Sequence, residues 1–362
     1  MTASLPTSGP NRALPHRRSR ALGAFALLAA SAVALSSCEA PRVRLETDVP
    51  TLPSLTRIDA IRDTAARTES AAADRAADLA TDAASCPACA EVLTSIASNS
   101  RSRLEALGGV WDPWNGNPPK GAQTVPAVAS APVTVDEFAS WLAQTARRDL
   151  AAAADPEETA SSDALALATA ALGRYRSAQA LASVYGLSID EGGAAVSDLN
   201  ERLQSIAGSD SLSLLGTWGL DPDALASGAL LAAPDLSKDT ALGDSTELAE
   251  SIASWDCASQ SLPKAELVAQ SVSDASTRQD VLFSRVDALL SAGATDERTL
   301  RCTLDDLDAT ALANALIAAD LHLLNSDDAT VRTIGARAAL EDLGNWTIGA
   351  DASAPALIGA QS

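Results

Sequence analysis

The apolar residues of this chain are mainly small or aliphatic, and this restricts the fold more than any other feature. Apolar residues make up 47% of the sequence, whereas aromatic residues make up only 3%. A core built from Ala, Leu, Val and Ile favours closely packed helices, because Ala has the highest helix propensity. No run alternates β-branched or aromatic residues with polar ones over the length of a strand. We therefore predict an all-α fold, a helical bundle.

The N-terminal residues have the two-part pattern of a secretory signal peptide. Four arginines and no acidic residue precede an apolar run over residues 21–35. This run is shorter than the roughly 20 apolar residues that a transmembrane helix needs. We therefore predict a signal peptide over residues 1–37 rather than an uncleaved membrane anchor.

The end of this segment, Leu35-Ser36-Ser37-Cys38, resembles the bacterial lipobox. The resemblance implies cleavage before Cys38 and a diacylglyceryl thioether on its sulfur. Two acyl chains give a stable anchor, whereas a single chain gives only marginal, reversible binding. The lipid bilayer is then the partner of acylated Cys38, and the protein lies on the extracytoplasmic face of the cell membrane. The alternative is a soluble secreted protein with a free Cys38 thiol.

The remaining chain divides into a tether, a helical domain and a tail. Residues 38–53 contain three prolines and no helical period, which predicts a lipidated, flexible tether. Helical periodicity extends over residues 54–345, interrupted by a Pro- and Gly-rich connection at residues 110–133. Residues 346–362 are predicted to form a C-terminal tail.

Local signals predict where several helices begin and end. Capping boxes at residues 134–137 and 155–158 predict a helix start at each point. The other predicted helices are at about residues 54–84, from 85–87 to Gly108, from 188 to before Gly208, briefly after Asp221, 245–254, after Pro263, 304–324, and 328–343 with Ser326 as N-cap and Gly344 as its end. The arginines on the first helix are predicted to form a solvated, salt-bridged face; they are Arg57, Arg62, Arg67 and Arg75.

The charge of the chain argues against nucleic acid as a partner. The formal net charge is −21, and removal of residues 1–37, with their four arginines, makes it −25. An acidic surface without clustered Lys or Arg is repelled by phosphate groups. We therefore predict no nucleic-acid binding.

Four cysteines follow the lipobox, namely Cys86, Cys89, Cys257 and Cys302. An even number outside the cytoplasm predicts two disulfides. Alternatively, Cys86-Pro87-Ala88-Cys89 is a redox dithiol, because a thiol at a helix N-terminus has a lowered pKa. No strand is predicted before Cys86, which favours the structural interpretation.

Every complete pairing of these cysteines brings Cys257 and Cys302 close together. They are either bonded to each other or bonded to the neighbouring Cys86 and Cys89. The helical stretch between them would separate its ends by roughly 43 Å if it were straight, which no disulfide can span. Full oxidation therefore predicts a hairpin that folds near Asp274, or flanking loops that double back.

The sequence predicts no catalytic, cofactor or metal site. Di-iron bundles use Glu-x-x-His pairs on facing helices, but the chain after residue 37 has one histidine, His322, and Ala319 stands three residues before it. With one histidine there is no candidate for a Ser-His-Asp arrangement, and we find no Gly-rich phosphate loop. His322 is predicted to be a partly buried residue of a Leu-rich helix.

A family resemblance extends these predictions. The lipobox, the segment over residues 42–47, the Gly108-Gly109-Val110-Trp111 loop and the helical remainder resemble actinobacterial lipoproteins with a ferritin-like helical domain of unknown function. The resemblance implies a ferritin-like or related antiparallel bundle, and the missing ligands imply that no ferritin-like activity carries over.

Two functions remain open from the sequence. The first is a non-enzymatic binding or scaffold module for an unknown envelope protein. The second is an extracytoplasmic thiol–disulfide protein that uses Cys86 and Cys89. The first needs stable, inaccessible disulfides, and the second needs a Cys86–Cys89 bond that is exposed and cycles.

Overall fold

The computed structural model of the protein describes residues 49–189, 241–302, 307–346 and 356–359, together with the single residues 231, 234, 236 and 304. These residues contain eight α-helices and no strand, which confirms the all-α bundle. The predicted signal peptide and Cys38 lie outside the described residues, as do the helix predicted from residue 188, apart from its first two residues, and the start of the one predicted after Asp221.

The eight helices fall into four consecutive pairs along the chain. In order they are α1 (Arg57–Asp82), α2 (Pro87–Ala106), α3 (Val135–Ala154), α4 (Ser161–Tyr185), α5 (Thr246–Lys264), α6 (Ala275–Ser291), α7 (Ala309–His322) and α8 (Ala329–Asn345). Alanine and leucine fill the interior between them, as the composition predicts.

Helices α1 to α4 form two antiparallel hairpins joined by one long connection, residues 107–134. Within each hairpin the turn is short, so the two helices are neighbours in opposite directions. The connection starts near the beginning of α1, where Arg62 Nη2 donates to Leu107 O at 3.2 Å. It ends near the last turns of α1, where Arg75 donates to Ala131 O. Helices α2 and α3 therefore run in the same direction.

Side chains of α1 hold this connection along its length. Asp63 Oδ1 accepts from Trp111 N at 2.7 Å, and Arg67 Nη1 donates to Pro126 O at 2.8 Å. Arg62 and Arg75 bind the two ends of the connection, as described above. The predicted salt bridges are present at all four arginines. The prediction of a solvated face is wrong for Arg67 and Arg75, because carbonyl groups of the connection cover them.

The C-terminal helices pack against α3 and α4 through α8. Arg332 of α8 is buried, and its Nη1 donates to Thr159 O in the turn before α4 at 2.9 Å. A π-helical turn (Ala265–Ala269) follows α5. Helix α6 begins directly after Asp274, whose own backbone is in the left-handed conformation. The hairpin predicted near Asp274 is thus present.

One of the two predicted capping boxes is wrong. Residues 155–158 form a turn in which Asp155 Oδ1 accepts from Glu157 N, and α4 begins only at Ser161. The neighbouring Glu158 is buried in an ion pair with Arg57 of α1, so its carboxylate serves a tertiary contact instead of a capping box.

Other boundaries in the C-terminal half also need correction. Helix α5 runs through Pro263 to Lys264, well beyond its predicted end at residue 254. Helix α7 begins at Ala309, later than predicted, because Asp308 Oδ1 accepts from Thr310 N at 2.8 Å. Asp328, not Ser326, is the N-cap of α8, and its Oδ1 accepts from Val331 N at 3.0 Å. Gly344 lies inside α8 rather than beyond its end.

Candidate functional site

The centre of the α1–α4 bundle contains one charged side chain from each helix. These are Glu69, Arg103, Asp149 and Arg174, which we call the central ionic cluster. Glu69 joins the two arginines, with its Oε2 2.9 Å from Arg103 Nε and its Oε1 2.8 Å from Arg174 Nη2. Arg174 Nη1 continues the chain of ion pairs to Asp149 Oδ2 at 2.7 Å.

Water has almost no access to this cluster. Glu69, Arg103 and Arg174 are 0% exposed and Asp149 is 2% exposed. Arg148, at the edge, binds Asp149 Oδ1 at 2.7 Å. The cluster is therefore a closed set of charges that neutralise one another.

Burial acts differently on the two central arginines. Burial alone lowers the pKa of a guanidinium, but Glu69 and Asp149 outweigh it at Arg174, whose pKa is raised. At Arg103 burial dominates and its pKa is lowered, with only Glu69 opposing. Arginine still stays charged throughout the accessible pH range, so Arg103 and Arg174 both carry their positive charge inside the bundle.

The residues at the bundle centre do not fit a di-metal site. Such a site takes one Glu from each of two helices and a Glu-x-x-His pair from each of the other two. Here arginines occupy the α2 and α4 positions, and two guanidinium groups repel a cation. No group of three His, Cys, Asp or Glu in the described part of the chain is arranged to hold a metal ion. His322 instead lies at the end of α7, with Nε2 2.8 Å from Glu250 Oε2.

A second ionic cluster joins α5, α6, α7 and α8 through Trp255, Arg285, Asp320 and Asp342. Trp255 Nε1 donates to Asp320 Oδ1 at 2.7 Å, and Arg285 makes two hydrogen bonds to the Asp342 carboxylate at 2.8 and 2.9 Å. Arg285 Nη1 also lies 3.6 Å from Asp320 Oδ1. Burial, followed by the charge of Asp342, raises the pKa of Asp320 well above its usual range, although Arg285 opposes this.

The four cysteines form two disulfides, Cys86–Cys89 and Cys257–Cys302, each with a Cα–Cα distance of 5.2 Å. Cys257 lies within α5, and its bond holds the loop after α6 against that helix. Cys86 is the N-cap of α2, where its Sγ accepts from Cys89 N at 3.3 Å. Cys86 is half-buried and Cys89 is 5% exposed.

A cavity of about 660 Å³ lies between the end of α3 and the start of α8. Four carboxylates line it, those of Asp155, Glu157, Asp327 and Asp328. Asp155 and Asp328 already accept hydrogen bonds from backbone N–H groups at the turn and the cap described above. The acidic lining is thus partly explained by local backbone structure.

Sequence reasoning named the cysteines but missed both ionic clusters. The available signal was position, because Glu69 lies in the alanine stripe of α1 between the buried Ala65 and Ala73. Arg103 likewise lies on the face of α2 that buries Leu93 and Ile96. A charged residue at a buried register of a helix predicts an oppositely charged partner on a facing helix.

Comparisons with protein-family models, curated proteins and solved structures found no match for this chain. Among the helices that the structure describes, none combines the length and the hydropathy needed to cross a membrane.

Proposed function

We propose that this protein is a lipoprotein of the extracytoplasmic membrane face, anchored through acylated Cys38, and that its helical domain is a non-enzymatic binding or scaffold module for another envelope protein. The basic segment, the apolar run and the lipobox-like residues 35–38 support the anchor. Two antiparallel hairpins joined by one long connection are the connectivity of ferritin-like bundles, which supports that finer assignment of the fold.

The central ionic cluster is the observation that carries the scaffold proposal. Ferritin-like enzymes place reactive groups at the bundle centre, where a metal and a substrate can reach them. In this protein the groups at that position are ion-paired with one another and shielded from water. Their arrangement supports a specific, rigid packing of four helices, and a rigid helical domain suits the presentation of a binding surface.

The anchor is tested by changing Cys38. Cells that express the wild-type chain or the Cys38→Ala variant are supplied with an alkyne fatty acid, and membrane and soluble fractions are compared. We expect the label and the membrane fractionation of the wild type to be lost in the variant. Fatty-acid label that persists on the variant, or a wild type that is released by a carbonate wash, would contradict the proposal.

A second candidate, a thiol–disulfide protein, is favoured by the unequal burial of Cys86 and Cys89. An attacking partner thiolate could reach the half-buried Cys86 Sγ, while Cys89 is shielded and would leave as a thiolate. A second thiol of the partner would then release Cys86, so that the partner is oxidised and this pair gains two electrons and two protons. The N-terminus of α2 favours a Cys86 thiolate.

Thiol labelling under graded reduction separates the two candidates. The Cys257–Cys302 bond provides the internal control, since it lies across two elements instead of at a helix start. If Cys86 and Cys89 become labelled at a potential near that of the glutathione pool while the control stays oxidised, the redox function is favoured. If both pairs resist reduction equally, they are structural and the redox candidate is wrong.

A further inference from the structure

Residues 356–359, near the C-terminus, pack into the helical domain as a short segment of bends and a turn that we call the strap. Ile358 of the strap is 1% exposed. Its N–H donates to Thr169 O of α4 at 3.2 Å. Arg103 Nη1, a member of the central ionic cluster, donates to Ala356 O at 3.3 Å. The strap is therefore held by its backbone as well as by a buried aliphatic side chain.

Glycine on both sides makes the contact close. A Cβ atom at Gly173 of α4 would overlap Ala356 O and would lie 3.0 Å from Ala356 C. In the strap itself, Gly359 has a φ of +78°, and a Cβ there would overlap Leu321 Cδ1 of α7 and lie 3.0 Å from Ile317 Cγ2. Because glycine has no Cβ atom, Gly173 of the helix and Gly359 of the strap allow the backbones to approach closely.

These contacts define a slot that fits one kind of ligand. The slot is formed by Arg103, Thr169, Gly173, Ile317 and Leu321. It takes a bent peptide with an aliphatic residue at the Ile358 position and, immediately after it, a glycine with a positive φ. A side chain larger than hydrogen at Gly173 would close it.

We propose that this slot is a peptide-binding site, filled by the chain's own strap in an isolated molecule and by the strap of a second copy when molecules are crowded. Exchange of an identical segment between copies keeps every contact and loses only the entropy of association. The nine residues 347–355 between α8 and the strap can span roughly 30 Å when fully extended, which is enough to reach a neighbouring molecule. This inference goes beyond the proposed binding of another envelope protein, since the ligand is a second copy of this chain, and it does not depend on the lipid anchor.

Mass action decides which strap fills the slot. A short flexible link gives the chain's own strap an effective concentration in the millimolar range. Dilute protein therefore keeps its own strap, and exchange needs a crowded surface or a strap that no longer fits its own slot. Variants that disable either the strap or the slot remove this competition.

Two full-chain variants test the exchange directly. Ile358→Asp places a charge at a buried position and releases the strap, which leaves an open slot. Gly173→Val closes the slot and leaves an intact, free strap. Each variant alone lacks one half of the interaction and should be monomeric. An equimolar mixture should form a 1:1 heterodimer in sedimentation velocity, and a mixture that stays monomeric would overturn the proposal.

A labelled peptide of residues 353–362 gives an independent measurement. Fluorescence anisotropy should show binding to the Ile358→Asp chain at least about tenfold tighter than to the wild type, whose own strap competes. The double variant Ile358→Asp, Gly173→Val should lose that binding. Equal binding to all three chains, or none to a folded Ile358→Asp chain, would refute a specific slot.

Circular dichroism establishes that each variant is folded before these measurements. If Ile358→Asp does not fold, Gly359→Ala replaces it, since a Cβ at this positive φ loosens the strap without burying a charge. All of these assays use purified protein without membrane. A failed anchor would therefore leave their outcome unchanged, and a failed exchange would leave the Cys38 result unchanged.

Discussion

Replacing Glu69 by glutamine tests whether the central ionic cluster holds the bundle together. Glu69 is the acceptor that Arg103 and Arg174 share, with both arginines 2.8 to 2.9 Å away. Glutamine keeps the shape but removes the negative charge. Asp149 is then the remaining carboxylate for two fully buried guanidinium groups, which cannot escape by losing a proton.

The expected loss is large compared with the stability of a typical domain. Removing one partner of a buried ion pair costs about 3–5 kcal/mol, whereas a domain has a free energy of unfolding of about 5–15 kcal/mol. Urea unfolding followed by circular dichroism should therefore show a clearly lower midpoint for Glu69→Gln with an unchanged slope.

A matched control separates burial from charge. Asp296 pairs with Arg298 at 2.9 Å, but both side chains are at least one-third exposed. Asp296→Asn should leave the urea midpoint close to that of the wild type, because water screens this pair. The reasoning fails if Glu69→Gln costs less than about 1 kcal/mol, or if the exposed control costs as much as the buried change.

Three further predictions concern the C-terminal helices. Burial raises the pKa of Asp320 in the folded state. Its contribution to stability is therefore fully present below its unfolded pKa of about 3.9 and is lost as pH rises through the folded pKa. The free energy of unfolding of Asp320→Asn should rise relative to that of the wild type over this pH range, as urea midpoints across pH would show. Gly335→Ala should lower the free energy of unfolding by about 1–3 kcal/mol, because its Cβ would lie 2.5 Å from Asp320 O, and thermal unfolding measures this. Replacing Cys257 and Cys302 by serine opens a loop with a sequence separation of 45, and loop entropy predicts a loss of about 4 kcal/mol in denaturant unfolding.

The parts of the fold that local chemistry controls could be predicted from the sequence. Thr134 caps α3 through Glu137 N, and Ser245 caps α5 through Leu248 N. Gly186 ends α4 in the left-handed conformation that glycine favours. Each of these contacts lies within a few residues of sequence, so a short window contains all the groups involved.

The predictions that failed concern contacts between residues that are far apart in the sequence. Residues 155–158 read as a capping box, but Arg57, about a hundred residues earlier, binds Glu158 and leaves a turn there. The central ionic cluster joins residues 105 apart, such as Glu69 and Arg174. A single sequence shows that Glu69 lies in a buried stripe, but it does not show which arginine on which helix faces it. These pairings depend on how the helices pack.

The contact between the start of the described chain and the long connection has a mechanical consequence. Gln123 N donates to Pro50 O at 3.0 Å, and Gln123 Oε1 accepts from Leu52 N at 3.3 Å. A pull on the chain before residue 49 would therefore load residue 123 before it loads the first turn of α1. The connection is itself fastened along α1 by Asp63 and Arg67. Force that enters at one end of the chain is thus spread over the side of the bundle, and α1 does not unravel from its tip.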